Sequence, residues 1–187
     1  MYSTVERISR FFTKIFADGA SISMVAVFLI VFINSVRRYS IGKSYEWGEE
    51  LPVFIAIYGI MFGMAYAYMQ DRHVRFTVLV GFLSASFTRK LYLLVDLIVI
   101  ATGAVLSWSG WLFIIKRGGM ESSGMINLAK SLKDITSWDQ LIWLGHFYPY
   151  QAAIILGGIL LAIAATLKLL SRLTKPQMPI LVERETL

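Results

Sequence analysis

Apolar residues fall into four long runs along this chain, and charged residues return between them. A hydrocarbon core of about 30 Å is crossed by about 20 helical residues rising 1.5 Å each. By that ruler the runs predict transmembrane helices over roughly 17–36, 47–69, 91–115 and 148–170, within a single membrane domain covering 1–187. The fold class is therefore an all-α integral membrane protein with four transmembrane helices and amphipathic interfacial segments. Three connecting stretches carry the interfacial pattern. In 5–16, Val5, Ile8, Phe12, Ile15 and Phe16 recur at helical spacing, with Arg7, Arg10 and Lys14 elsewhere around the helix. In 74–87, Val74, Phe76, Val78, Val80, Phe82 and Phe87 lie between basic ends. In 122–147, Met125, Leu128, Leu132 and Ile135 form a stripe, and Ser137 to Gln140 reads as a capping box ahead of Leu141, Ile142 and Trp143. A loop covered by solvent or by a partner would satisfy all three patterns equally well.

The first run, Ala20 to Ile33, follows Arg7, Arg10 and Lys14 like the core of a signal peptide, but no A-x-A-like site follows and Arg37 and Arg38 come next. The reading is an uncleaved signal anchor. Hydrophobic residues make up 57% of the chain and mean hydropathy is +0.64, above the apolar usage of soluble domains. The net charge of +6 does not form a stripe of the kind that binds nucleic acid, because the basic residues bracket the apolar runs. They act as topology signals instead. Arg7, Arg10, Lys14, Arg72, Arg75, Arg89, Lys90, Lys168, Arg172, Lys175 and Arg184 fall on the face of the termini, against Arg37, Arg38, Lys43, Lys116, Arg117, Lys130 and Lys133 on the other. Eleven against seven predicts cytoplasmic termini. The absence of cysteine excludes disulfides, thiolate metal sites and thiol redox chemistry.

Ionisable groups inside spans are costly, so each is a candidate for function. Asp96 lies about four residues inside the third span, nearer the interface than the midplane. It can serve as an ion or proton site, or as a carboxylate bonded to a neighbouring helix or paired with a basic residue such as Arg89. One shallow carboxylate is a poor coupling site, so the structural role is expected. Asn34, near the end of the first span, is expected to bond between helices. In the first hairpin, Arg37 and Arg38 close one helix while Trp47, Glu49 and Glu50 open the next, with signs that match the helix dipoles. The short connection predicts a clamp of arginine to carboxylate, or a docking site for another protein. Pro52 cannot donate to the Gly48 carbonyl, so the first turns of that helix should be irregular. Small residues form one stripe at Ala56, Gly59, Gly63 and Ala67 and another at Ala153, Gly157, Gly158 and Ala162, which lets helices approach closely in lipid. Trp47, Trp108, Trp111, Trp143, Tyr148 and Tyr150 fall near span ends, as in an interfacial belt.

Both histidines, His73 and His146, lie in predicted linkers, which argues against axial haem ligation inside the bundle. No nucleophile, base and carboxylate stand at a spacing that would make a hydrolase. The two hairpins show no internal repeat, which argues against a self-contained inverted-repeat transporter. An autonomous four-helix ion-coupled carrier or exporter using Asp96 is the rival to a non-catalytic subunit.

The order Arg38-Tyr39, then Trp47-x-Glu49-Glu50 opening a helix, then His73-Val74-Arg75 after it resembles the small permease subunit of TRAP transporters, the DctQ-type family. The motif-bearing part is roughly 34–90. Arg72 and Thr77 depart from it, standing where many members have Gly before the His-Val-Arg and an Asp shortly after. The resemblance implies a bacterial inner-membrane system in which a periplasmic substrate-binding protein delivers an organic acid, such as a sialic acid or a C4-dicarboxylate. A large permease subunit would then move it inward with sodium ions. This chain would brace that subunit among membrane lipids, help dock the binding protein, and itself carry no catalytic residue, cofactor or metal.

Overall fold

The computed structural model describes residues 2–70 and 84–174. The chain forms α1 (Tyr2–Ile41), α2 (Trp47–Met69), α3 (Ala85–Arg117), the shorter α4 (Ser123–Thr136), a 3₁₀ segment (Asp139–Gly145) and α5 (Tyr148–Thr174). Among the described residues the only β pairing is an isolated bridge between Glu121 and His146. Four of the helices, α1, α2, α3 and α5, are long and apolar enough to cross a membrane. Lipid offers no partner to backbone N–H and C=O groups, and a helix satisfies them all within one segment.

Helix α5 is the axis of the bundle. It packs against α3 on one side and against α2 and α1 on the other, while α1 and α2 form an antiparallel hairpin. The core gathers Phe16 of α1, Ala65 and Tyr68 of α2, and Leu160, Leu161, Ala164 and Ala165 of α5. Small side chains at Ala65, Ala164 and Ala165 leave room for the ring of Phe16, which is 0% exposed.

Residues 5–16, expected as a separate interfacial helix, run straight on into the first span. Gly19 does not break α1. A Cβ there would come within 2.7 Å of the Phe62 ring, so the residue serves close helix packing. At 40 residues α1 is about 60 Å long, twice the hydrocarbon thickness.

The segment 122–147 folds as α4 and the 3₁₀ turn, laid over the end of the bundle away from the termini. The buried face of α4 is Met125, Ile126 and Ala129, with Leu128 and Leu132 half-buried and Ile135 exposed, so the expected stripe is rotated by about one residue. Gly145 sits against Ile126, too close for a Cβ. Ser137 starts no capping box. It ends α4 in a left-handed conformation, φ 58°, with its N–H bonded to Lys133 O at 2.7 Å, and a 3₁₀ segment follows. Lys133 Nζ bridges back to Asp139 Oδ1 at 2.8 Å, and that bond holds the exposed Asp139 carboxyl below its ordinary value. Of the expected 74–87 segment, residues up to 83 lie outside the described residues, as do Arg72, His73, Val74, Arg75 and Thr77. Ser84 caps α3 by accepting from Phe87 N–H.

Candidate functional site

Polar groups gather at the two ends of the bundle and leave the middle to helix packing. At the end near the termini, Asp96 of α3 is wholly buried. Its Oδ2 accepts from Arg172 Nη1 at 2.8 Å, and its Oδ1 accepts from the Tyr68 hydroxyl at 2.5 Å. Arg172 also donates to the Tyr92 carbonyl at 3.1 Å and lies over the Tyr92 ring, 4.7 Å from its centroid. The cation comes from the last turns of α5, not from Arg89, which is exposed. Helices α2, α3 and α5 thus meet on one carboxylate, and a charge in this position is tolerated because it is paired and hydrogen-bonded.

At the opposite end the organising group is Glu50. Its carboxylate accepts from Ser122 Oγ, from Ser123 Oγ at 2.8 Å, and from the backbone N–H groups of Gly124 and Met125. Those N–H groups belong to the first turn of α4, which has no side-chain cap of its own. A carboxylate there satisfies orphan donors and the positive end of the helix dipole together. One turn earlier, Glu46 Oε2 accepts from Asn127 Nδ2 at 2.7 Å, and a Cβ at Gly124 would lie 2.8 Å from the Glu46 carbonyl oxygen. The same end is stapled by the Phe54–Tyr150 stack, by the Tyr150 hydroxyl donating to Leu144 O at 2.5 Å, and by the Tyr58 hydroxyl donating to Pro149 O.

The expected clamp between Arg37 or Arg38 and Glu49 or Glu50 does not form; no ion pair joins them among the described residues. Arg37 lies over the Tyr45 ring, 3.5 Å from its centroid, and Tyr45 stacks on Trp47 at 5.1 Å. Arg38 is drawn toward Tyr39, while Glu50 is turned away to α4. Arg38 and Glu49 instead face a common open groove of about 450 Å³ with Asn34, Gly48 and Pro52. Asn34 bonds the turn, not a helix: its Oδ1 accepts from Tyr45 N–H at 2.7 Å. Pro52 is buried within α2 without breaking it.

The small residues divide between inside and outside. Gly158 meets Gly103 of α3, where a Cβ would lie 2.5 Å from the Gly103 carbonyl oxygen, and Ser107 Oγ donates across the crossing to Ile155 O at 3.2 Å. Gly157 faces Met61, and Gly59 faces Ser23. Ala153 is buried, Ala56, Ala67 and Ala162 are half-buried, and Gly63 opens on empty space. The sequence reading missed Gly103, Gly110 and Ser107; the two glycines seven residues apart in the third span were the available signal. Trp108, Trp111 and Trp143 are exposed, as residues anchored at a bilayer interface would be, while Trp47 and Tyr148 are half-buried and Tyr150 is buried. No group of acid, histidine or cysteine side chains able to hold a metal occurs among the described residues.

Two comparisons bear on this arrangement. The family model described as "Tripartite ATP-independent periplasmic transporters, DctQ component" matches residues 27–175. A curated relative from Vibrio cholerae serotype O1 (strain ATCC 39315 / El Tor Inaba N16961), the C4-dicarboxylate TRAP transporter small permease protein DctQ, is 27% identical over 159 residues, covering 80% of this chain and 68% of that protein.

Proposed function

The chain belongs to the DctQ component family of the tripartite ATP-independent periplasmic transporters, and on that premise we propose that it braces the large permease subunit in the bacterial inner membrane. In this reading both termini are cytoplasmic, and the large subunit takes up an organic acid, of the C4-dicarboxylate or sialic acid class, with sodium ions. A periplasmic binding protein delivers that acid. The relative's printed name favours a C4-dicarboxylate.

The observation that carries the bracing role is the state of Asp96. It is the one charged side chain buried among the described residues, and Arg172 and Tyr68 already occupy both its oxygens. Coupled transport needs polar groups near the midplane that bind and release an ion, often at broken helices. A carboxylate locked to a guanidinium near one end of the bundle fits a structural joint better than a coupling site.

The test is reconstitution. Vesicles holding this chain alone should accumulate no labelled organic acid under a sodium gradient, and vesicles holding the large subunit, binding protein and this chain should. Saturable uptake by the isolated chain that disappears with Asp96→Asn would establish the autonomous carrier instead.

A further inference from the structure

We propose that the outward face of α1 around Lys14, Asp18 and Ser21 is where the large membrane subunit docks, with a cationic or hydrogen-bonding side chain of that subunit meeting Asp18 inside the bilayer. The proposal rests on the subunit reading above and adds which face makes the contact.

The register of the first hairpin places Asp18 about 9 Å inside the end of α2, and Lys14 about 3 Å inside it. Gly19 is pressed against Phe62, and Ser23 against Gly59. Phe62 stands seven residues before the end of α2 at Met69, about 10 Å along the axis. Phe16 shares the buried core with Leu160 and Leu161, and Leu160 stands eight residues before Lys168, the first charged residue of α5, about 12 Å. The turns of α1 that carry Lys14 and Asp18 therefore lie alongside apolar stretches of its neighbours, although hydropathy alone starts the first span at residue 17.

Lys14 and Asp18 are both exposed, and neither makes a hydrogen bond or ion pair among the described residues. With Lys ahead of Asp at i, i+4, their mutual pairing runs in the less favourable direction. A lysine at this depth reaches the headgroups along its four-carbon stem, but an aspartate has one methylene and cannot. A carboxylate facing lipid is costly, so something else covers Asp18.

The pattern on the same face indicates what covers it. Lys14, Asp18, Ser21, Val25, Phe28 and Phe32 are all exposed, with alternating spacings of four and three. These positions run along one side of the helix, so a neighbour lying along α1 would meet Asp18 together with the apolar Val25, Phe28 and Phe32. The outward face of α3 differs. Leu94, Ile98, Val105, Trp108 and Leu112 are exposed there with no charge between Lys90 and Lys116 apart from the buried Asp96, and Thr102 donates its hydroxyl to its own helix at Ile98 O, 2.9 Å. That is a surface lipid covers without loss. Of the two outer helices, α1 carries the unmet charge.

The test uses the intact complex, this chain co-expressed with the large permease of its own system, and benzoylphenylalanine placed singly at Val25, Phe28, Val105 and Leu112. Photolysis should join the large subunit to positions 25 and 28 and leave 105 and 112 unjoined. Asp18→Ala should lower the large subunit recovered with this chain about tenfold, and Asp18→Glu should retain it. Adducts from α3 alone, adducts between two copies of this chain through α1, or lipid adducts alone from a complex that still co-purifies would each overturn the docking face while leaving the subunit reading in place. A wild-type chain that recovers no large subunit at all would overturn both.

Discussion

Asp96 of α3 and Arg172 of α5 meet at 2.8 Å across 76 residues of sequence, with the carboxylate fully enclosed and the guanidinium partly exposed. Removing one partner leaves the other charged without a counter-ion. Removing both leaves a gap that apolar side chains can fill.

Asp96→Asn should therefore destabilise the purified chain by about 2–3 kcal/mol. The double variant Asp96→Leu with Arg172→Leu should recover part of that loss. Thermal unfolding in detergent provides the measurement; equal and additive losses would show that the pair does not act as a unit.

Glu50→Ala removes the only cap on α4 and should cost about 1–2 kcal/mol, felt locally. Amide exchange should speed up in Gly124 and Met125 and along α4, while α3 and the far half of α5 keep their protection. Glu49→Ala, at an exposed neighbour, should change none of these rates.

Gly158→Ala drives a methyl into the Gly103 carbonyl and should destabilise the α3–α5 crossing by about 1–3 kcal/mol. Gly63→Ala points into open space and should stay within about 0.5 kcal/mol in the isolated chain. A comparable loss at the two positions would contradict the helix register described above.

The orientation is open to direct measurement. Reporter fusions after Leu187 and within α4 should give opposite signals, with the C-terminal fusion cytoplasmic, following the eleven-to-seven division of basic residues.

The four spanning helices were legible in the sequence because length and hydropathy are what a bilayer selects, and neither depends on neighbours. The partner of Asp96 was not legible, since Arg89 is near in sequence and Arg172 is near only once α3 and α5 are antiparallel. Matching depths would have helped: Asp96 lies just inside the third predicted span and Arg172 just past the fourth, at the same end of the bundle. The hairpin clamp failed for a related reason. Dipole signs identify which charges suit which helix ends, but Glu50 suits the N-terminus of α4 as well as that of α2, and only the fold decides between them. The depth of Asp18 was hidden because hydropathy marks where a helix becomes apolar, whereas its vertical position is set by side chains such as Phe16 and Gly19 against their neighbours.

Because the cap of α4 comes from Glu50, 73 residues before Ser123, this small helix cannot complete itself as the chain emerges. Its first N–H groups must await the inserted α1–α2 hairpin, and its apolar face must await Gly145 and the stretch leading into α5. The cover over that end of the bundle thus sets only after residue 145 has emerged, and a ribosome stalled before then would leave 118–136 open to protease on a hairpin already in the membrane.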